Sequence, residues 1–272
     1  MKLPFVKMHG LGNDFMVIDC RRRFIHGLSR LIKRLSDRRF GVGFDQALIL
    51  KASEIADFRL DIYNHDGSRV EMCGNGIRCL ANYIWSHGLS KKSPLAIETL
   101  AGVIRPEKDG SLVRVDMGEP ILEGRRVPVG RDGIIKDLPL KIDDRTFNIT
   151  CVSMGNPHCV IFVEDVGSFP VERYGPLLEN NRFFPKRTNV EFIEVINSKR
   201  IKMRVWERGS GETLACGTGA SAAAVASHLK GFTSRSVSVY LRGGVLSIDW
   251  GKDNHVYMTG PAEEVFEGYI RI

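Results

Sequence analysis

No apolar run in the sequence approaches the roughly 20 residues that a membrane-spanning helix requires, so no membrane partner is expected. No pair of cysteines is spaced as C-x-x-C, and no paired histidine motif stands in for one. A structural zinc site is therefore not expected, and no metal is assigned. The start, Met1-Lys2-Leu3-Pro4-Phe5, lacks both an apolar signal core and an Arg/Ser-rich transit stretch. Secretion and organelle import are disfavoured on that ground, and a cytoplasmic protein is expected. Nor is there a large excess of one charge. The 39 Lys and Arg against 32 Asp and Glu leave +7 over 272 residues. The basic runs Arg21-Arg22-Arg23 and Lys33-Arg34 have no interleaved aromatic stacking surface. They read as solvated faces, and no nucleic-acid partner is expected. The cysteines at 20, 73, 79, 151, 159 and 216 are then reduced thiols. Most should act as small buried hydrophobes.

The chain does have enough apolar content, 43%, and enough length for two cores. It also carries an internal repeat. Cys216 in Ala215-Cys216-Gly217-Thr218-Gly219 repeats Cys73 in Met72-Cys73-Gly74-Asn75-Gly76, at an offset of 143 residues. In the same frame, without a gap, Gly12-Asn13 falls on Gly155-Asn156, Gln46 on Asn189 and Asn64 on Glu207. At an offset of 142, Ala101-Gly102-Val103-Ile104 matches Gly243-Gly244-Val245-Leu246. A cysteine turn and three amide or acid positions, recurring in one frame at four places, identify two copies of one domain. The seam falls in residues 119 to 140, where Pro120, Pro128, Pro139 and several glycines interrupt any period. That composition suits a linker or irregular surface.

Phe58 to Tyr63 and Ile201 to Trp206 alternate apolar and charged residues, which predicts a strand in each half. A glycine-containing turn and a helix follow each. Ile77, Leu80, Ala81, Ile84 and Trp85 keep helical spacing up to a stop at Gly88. The second helix runs from Gly217 to about Leu229, with Gly231 as its stop; it is small and apolar nearly all round, which predicts burial. Further amphipathic helices are predicted over Leu28 to Arg38 and Val171 to Asn180. The fold class is α/β (α+β): two pseudo-symmetric, duplicated domains, each a β-sheet wrapped around a central helix, with the active site expected in the cleft between them. The domains are placed at 1–119 with a C-terminal strand 263–272, and at 120–262.

Cys73 and Cys216 each sit where a glycine turn opens a helix. The first N–H groups of a helix lack intrahelical partners, and the dipole adds positive charge there. A thiol at that place is expected to have a lowered pKa. The same N–H groups, made approachable by Gly74, Gly76, Gly217 and Gly219, can hold a carboxylate. Two such thiols on opposite faces of a bound molecule suit inversion of a carbon centre. One removes a proton, the other returns one, and the helix starts stabilise the carbanion charge. No cofactor is needed. Asn64 and Glu207 suit an α-ammonium group. Arg208 can grip a carboxylate or be an exposed strand end. Asn13, Gln46, Asn156 and Asn189 are cleft amides or turn amides. His158 either modulates a cysteine or is structural. Cys20, Cys79, Cys151 and Cys159 are assigned to packing.

At these residues the chain resembles the diaminopimelate epimerases over essentially its whole length. The matching stretches are Lys7 to Phe15, Gly41 to Gln46, Met72 to Gly76, Met154 to His158, Glu207-Arg208-Gly209 and Cys216 to Gly219. The resemblance implies cofactor-independent interconversion of LL- and meso-2,6-diaminopimelate, in lysine and peptidoglycan precursor synthesis, by a homodimer. It implies that Cys73 and Cys216 are catalytic and that His158 and Glu207 modulate their pKa. It implies substrate contacts from Asn13, Gln46, Asn64, Gly74, Asn75, Asn156, Asn189, Glu207, Arg208, Gly217 and Thr218. Some members of the family place a tyrosine near the C-terminus at a dimer contact; here Phe266 stands there without a hydroxyl. Three rivals remain: a two-cysteine racemase of another amino acid, a cysteine hydrolase with a histidine base, and a non-catalytic amino-acid binder.

Overall fold

Burial alternates along strands such as Leu112–Asp116 and Arg200–Glu207, while others, such as Pro157–Phe162, are buried along nearly their whole length. In the computed structural model, which describes residues 2–271, the first unit runs to Asp116 and takes the chain back from Thr259; the second spans Met117–Met258. The first unit contains β1 (Lys2–Gly10), β2 (Asn13–Asp19), α1 (Leu28–Leu35), β3 (Gln46–Lys51), β4 (Phe58–Asn64), β5 (Arg69–Val70), α2 (Gly74–Ser86), β6 (Ile97–Thr99), β7 (Gly102–Ile104), β8 (Glu107–Asp109) and β9 (Leu112–Asp116). The second contains β10 (Leu138–Ile142), β11 (Arg145–Ser153), β12 (Pro157–Phe162), α3 (Val171–Glu179), β13 (Asn189–Asn197), β14 (Arg200–Glu207), β15 (Gly211–Thr213), α4 (Gly217–Leu229), β16 (Ser236–Leu241) and β17 (Gly244–Trp250), followed by β18 (Val256–Gly260). The chain ends in β19 (Glu263–Arg271), which pairs antiparallel with β1. No helix among the described residues is long and apolar enough to cross a membrane.

The first sheet runs β19-β1-β2-β3-β4-β6-β7, with β5 on β4; the run β10-β11-β12-β13-β14-β16-β17-β18, with β15 on β14, builds the second. The duplication is written into their register. Phe15 stands opposite Gln46 in the parallel pair β2·β3, and His158 opposite Asn189 in the parallel pair β12·β13. Each partner is displaced by the same 143 residues as the cysteines. The fold is mixed α/β and duplicated, with few helices.

Helices α2 and α4 follow equivalent strands and are largely buried. Ile77, Leu80, Ala81 and Ile84 of α2 are fully inaccessible. Each large side chain so buried contributes about 1.5–3 kcal/mol. Along α4 the residues Ala222, Ala223, Val225 and Ala226 have no exposed surface, as an all-round apolar helix requires. Its two buried serines return their hydroxyls to the carbonyls one turn back, Ser221 to Gly217 at 3.0 Å and Ser227 to Ala223 at 2.7 Å. Both helices stop the same way. Gly88 (φ 64°) and Gly231 (φ 75°) take the left-handed conformation, and Leu89 N–H and Phe232 N–H reach back to the Ile84 and Ser227 carbonyls.

Two expectations need adjusting. The predicted helix to Arg38 ends at Leu35. Gly41, Val42 and Gly43 fold back beneath it, where the N–H groups of Val42 and Gly43 bond the Leu35 carbonyl. The proline-rich seam is irregular but is not a surface linker. Val127, Val129 and Ile135 join the second core beside Phe147, Ile149 and Tyr174.

Candidate active site

The starts of α2 and α4 are built alike. Cys73 and Cys216 are the N-cap residues, both extended (φ −143° and −127°). Each sulfur accepts the N–H of the residue three positions on, Gly76 or Gly219, at 3.4 Å. An N-cap satisfies one orphan donor of the first turn. The other first-turn donors, carried by Gly74 and Asn75 or by Gly217 and Thr218, are left for an anion.

Around Cys73 the first unit gathers amides. Asn13, at the start of β2, presents its Oδ1 to the Cys73 sulfur at 3.9 Å and to Asn75 Nδ2 at 3.3 Å, while its own Nδ2 donates to Asp45 at 2.9 Å. Asp45 in turn is held by Arg38, and Arg38 also grips Asp14. Gln46 heads β3 opposite Asn64 at the end of β4, and donates to its Oδ1 at 3.0 Å. Gln46 Oε1 and Asn75 Oδ1 are buried acceptors with no hydrogen-bond partner among the described residues. Unpartnered buried carbonyl oxygens suit an ammonium group, since each otherwise loses its hydration without compensation.

Around Cys216 the second unit gathers a different set. Thr218 Oγ1 lies 3.5 Å from the sulfur and accepts from Asn156 Nδ2 at 3.3 Å. Asn156 Oδ1 meets His158 Nε2 at 2.9 Å, and His158 Nδ1 meets Glu191 Oε1 at 2.7 Å. Both His158 and Glu191 are wholly buried. Glu207, the last residue of β14, accepts the Thr213 hydroxyl and lies near the Cys216 thiol. Asn189 commits its whole amide to backbone. Nδ2 donates to the Pro157 carbonyl and Oδ1 accepts Arg208 N–H, each at 2.9 Å. It thereby ties the loop before β12 to the end of β14. Arg208 is exposed, with its guanidinium on the Lys186 carbonyl at 3.1 Å.

The electrostatics reverse one expectation. Burial pushes the Cys216 thiol well above its ordinary value, and the Glu207 and Glu191 carboxylates beside it push it further. The hydrogen bonds from Thr218 and Gly219 oppose this but are outweighed. A helix start alone favours thiolate, yet two buried acids next to a desolvated sulfur favour the thiol. Burial likewise raises Glu207, with Glu191 adding to it. Of the thiols assigned to packing, Cys79 and Cys159 are fully enclosed and are raised by burial.

Asn13 and Asn75 gather at the first helix start, and Asn156, Thr218 and His158 at the second, while the Arg208 side chain is exposed. Glu191, Asp45 and Thr213 were not expected from the sequence. Glu191 carried a signal: an acid between Val190 and Phe192 in an apolar run, at the position where the first copy has Leu48.

Comparison with known proteins gives this arrangement a family. The family model for diaminopimelate epimerase matches residues 5–123 and 150–265. The chain belongs to the diaminopimelate epimerase family. It is 53% identical to the diaminopimelate epimerase of Moorella thermoacetica over 274 residues, covering 98% of both chains. It is 50% identical to that of Acetivibrio thermocellus over 275 residues, again 98% of both. To that of Methanococcus maripaludis it is 49% identical over 277 residues, 99% of this chain and 100% of the relative. The fold extends beyond the epimerases. A probable proline racemase from Agrobacterium radiobacter superposes with a TM-score of 0.73 at 14% identity, over 99% of this chain and 93% of that one. A Bacillus anthracis protein of the phenazine biosynthesis PhzF family gives 0.71 at 16% identity, over the whole of both chains.

Proposed function

We propose that two thiols carry out this chain's reaction, the epimerisation of LL-2,6-diaminopimelate to the meso form. Family membership makes the chain an isomerase that acts on diaminopimelate in lysine biosynthesis. The observation that carries the mechanism is the matched pair of N-cap cysteines, each on a buried helix whose first-turn N–H groups can take a carboxylate. In this reading Cys73 acts on one face of the α-carbon and Cys216 on the other. One sulfur takes the α-proton while the other, still a thiol, delivers its own. The carbanion charge spreads into the α-carboxylate, where both helix starts stabilise it.

The remaining residues recognise the substrate. Asn64 and Glu207 hold the ammonium beside the reacting carbon. The Glu207 carboxylate raises the Cys216 thiol, so it also tunes that acid, together with His158. Gly74, Asn75, Gly217 and Thr218 line the carboxylate. Asn13, Gln46, Asn156, Asn189 and Arg208 form the distal end, with Asn189 acting by holding the Arg208 backbone. An amino acid without the distal carboxylate leaves Arg208 without its charge-assisted partner. The product would serve peptidoglycan precursors as well as lysine, and the enzyme would work without a cofactor as a cytoplasmic homodimer. The half-exposed Phe266 on β19, its ring 5.9 Å from Phe5, offers an apolar dimer contact.

The test is incubation of purified protein with LL-diaminopimelate in deuterium oxide. The reading requires α-deuterium in the meso product and almost none in lysine supplied alone. Comparable kcat/KM for lysine would replace this reading with a broader amino-acid racemase. No exchange into diaminopimelate would end it.

A further inference from the structure

In the duplicated frame the side chains packed behind the two cysteine-bearing helix starts differ in kind. Behind Cys73, a Cβ built on Gly76 would lie 3.0 Å from Leu48 Cδ2, 3.5 Å from Phe15 Cε1 and 3.5 Å from the Cys73 Cβ. Phe15 and Leu48 are fully buried. Behind Cys216, a Cβ built on Gly219 would lie 2.8 Å from Glu191 Oε1 and 3.3 Å from the Cys216 sulfur. The positions equivalent to Phe15 and Leu48, 143 residues on, are His158 and Glu191. One copy backs its thiol with two hydrocarbon side chains; the other backs it with a hydrogen-bonded imidazole and carboxyl, 2.7 Å apart and both without exposed surface.

A buried pair of this kind is costly next to its apolar counterpart of similar size, because both groups lose water. The frame shows that the backbone accepts the apolar pair. Its retention beside only one cysteine therefore points to the chemistry of that sulfur. The hydrogen bonds define what the pair holds. Asn156 donates Nδ2–H to Thr218, so its Oδ1 accepts His158 Nε2–H. The short contact at Nδ1 then takes one further proton, from either the ring or the carboxyl. The pair's carboxyl oxygen Oε1 faces the space that Gly219 leaves beside Cys216, and its Oε2 has no hydrogen-bond partner among the described residues.

We infer that Glu191 is a positioning residue which fixes His158 against Asn156 and holds Cys216 as a neutral thiol, making the two cysteines of the duplicated site chemically unequal. The charged and titratable groups facing Cys216 are Glu191 on β13, Glu207 on β14 and His158 on β12, with the polar Thr218 on its own helix. The carboxylate of Glu191 opposes charge on the sulfur, consistent with the upward push on that thiol. The inference rests on the two-thiol reading for its meaning, but its test reads the sulfurs and not turnover.

The experiment is peptide-resolved alkylation of Cys73 and Cys216 with a small uncharged reagent, iodoacetamide, across pH in the substrate-free protein. It compares wild type with Glu191→Gln and with the double swap His158→Phe, Glu191→Leu, which installs the pair the first unit already packs. Both variants are expected to raise the Cys216 rate about tenfold at a fixed pH below its midpoint. Cys73 should change by less than about twofold. An unchanged or slower Cys216, or an equal change at both cysteines, overturns the inference, even where epimerisation itself persists. Should Glu191→Gln fail to fold, the double swap decides alone by the same criteria.

Discussion

Gly219 is the position at which the packing around Cys216 leaves no room. Substitution by alanine adds one methyl group 2.8 Å from Glu191 Oε1 and 3.3 Å from the Cys216 sulfur. Alanine in a helix gains about 0.8–1 kcal/mol over glycine. Against this, overpacking a filled interior costs about 1–3 kcal/mol. Relief by rotating Glu191 away from His158 sacrifices a buried bond to a charged group, worth about 1.5–3 kcal/mol. The net expectation is a loss of up to about 2 kcal/mol, together with a severe loss of turnover, because the displaced groups lie beside Cys216. Gly76→Ala is the internal control. Its new methyl would meet Leu48 Cδ2 at 3.0 Å, a rotatable hydrocarbon end, and the helix gain offsets most of that contact. Urea unfolding of both variants, with LL-diaminopimelate turnover measured alongside, checks the reasoning. Gly219→Ala should be clearly the less stable, and adding Glu191→Ala to it should couple favourably, since the clash partner is gone. Equal stability of the two glycine variants, or additive behaviour of the double variant, would refute the packing argument.

Arg208→Ala should raise KM for diaminopimelate about tenfold to a hundredfold by removing a charge-assisted bond, and narrow the preference over lysine; an unchanged KM removes Arg208 from the distal end. Asn189→Ala strands the buried Pro157 carbonyl and the Arg208 N–H, so it should cost about 1–3 kcal/mol for each in urea unfolding. Asp14 tests the acid side. Burial pushes its carboxyl up, but hydrogen bonds from Arg38 and Lys7 prevail and bring it down to about 2 from 3.8. A depressed carboxylate contributes stability above its unfolded value and loses it as pH falls through the folded one. Unfolding free energy should therefore drop between pH 3.8 and about 2 in the wild type, and drop less in Asp14→Asn.

What the sequence carried well were features set by spacing. The cysteines, the amides and the two buried helices share one frame of 143 residues, and the register of β2·β3 against β12·β13 follows it. Helix ends with a glycine after them, at Gly88 and Gly231, were legible because the left-handed residue is chemically marked. The end of α1 was not, because Gly41 to Gly43 turn back through contacts with Leu35 that no local pattern announces. The state of Cys216 was misjudged for a similar reason. A helix start is visible in sequence, but the desolvation and the carboxylates of Glu191 and Glu207 arrive from strands β13 and β14. Glu191 itself stood out only as a departure from the repeat, an acid where the first copy has leucine.

The central claim is that two thiols act, one on each face of the same carbon. It is tested most directly by following LL-diaminopimelate in deuterium oxide with wild type, Cys73→Ala and Cys216→Ala, each confirmed folded. The account predicts deuterated meso product from the wild type and no epimerisation from either variant. Wild-type rates in either alanine variant would contradict it.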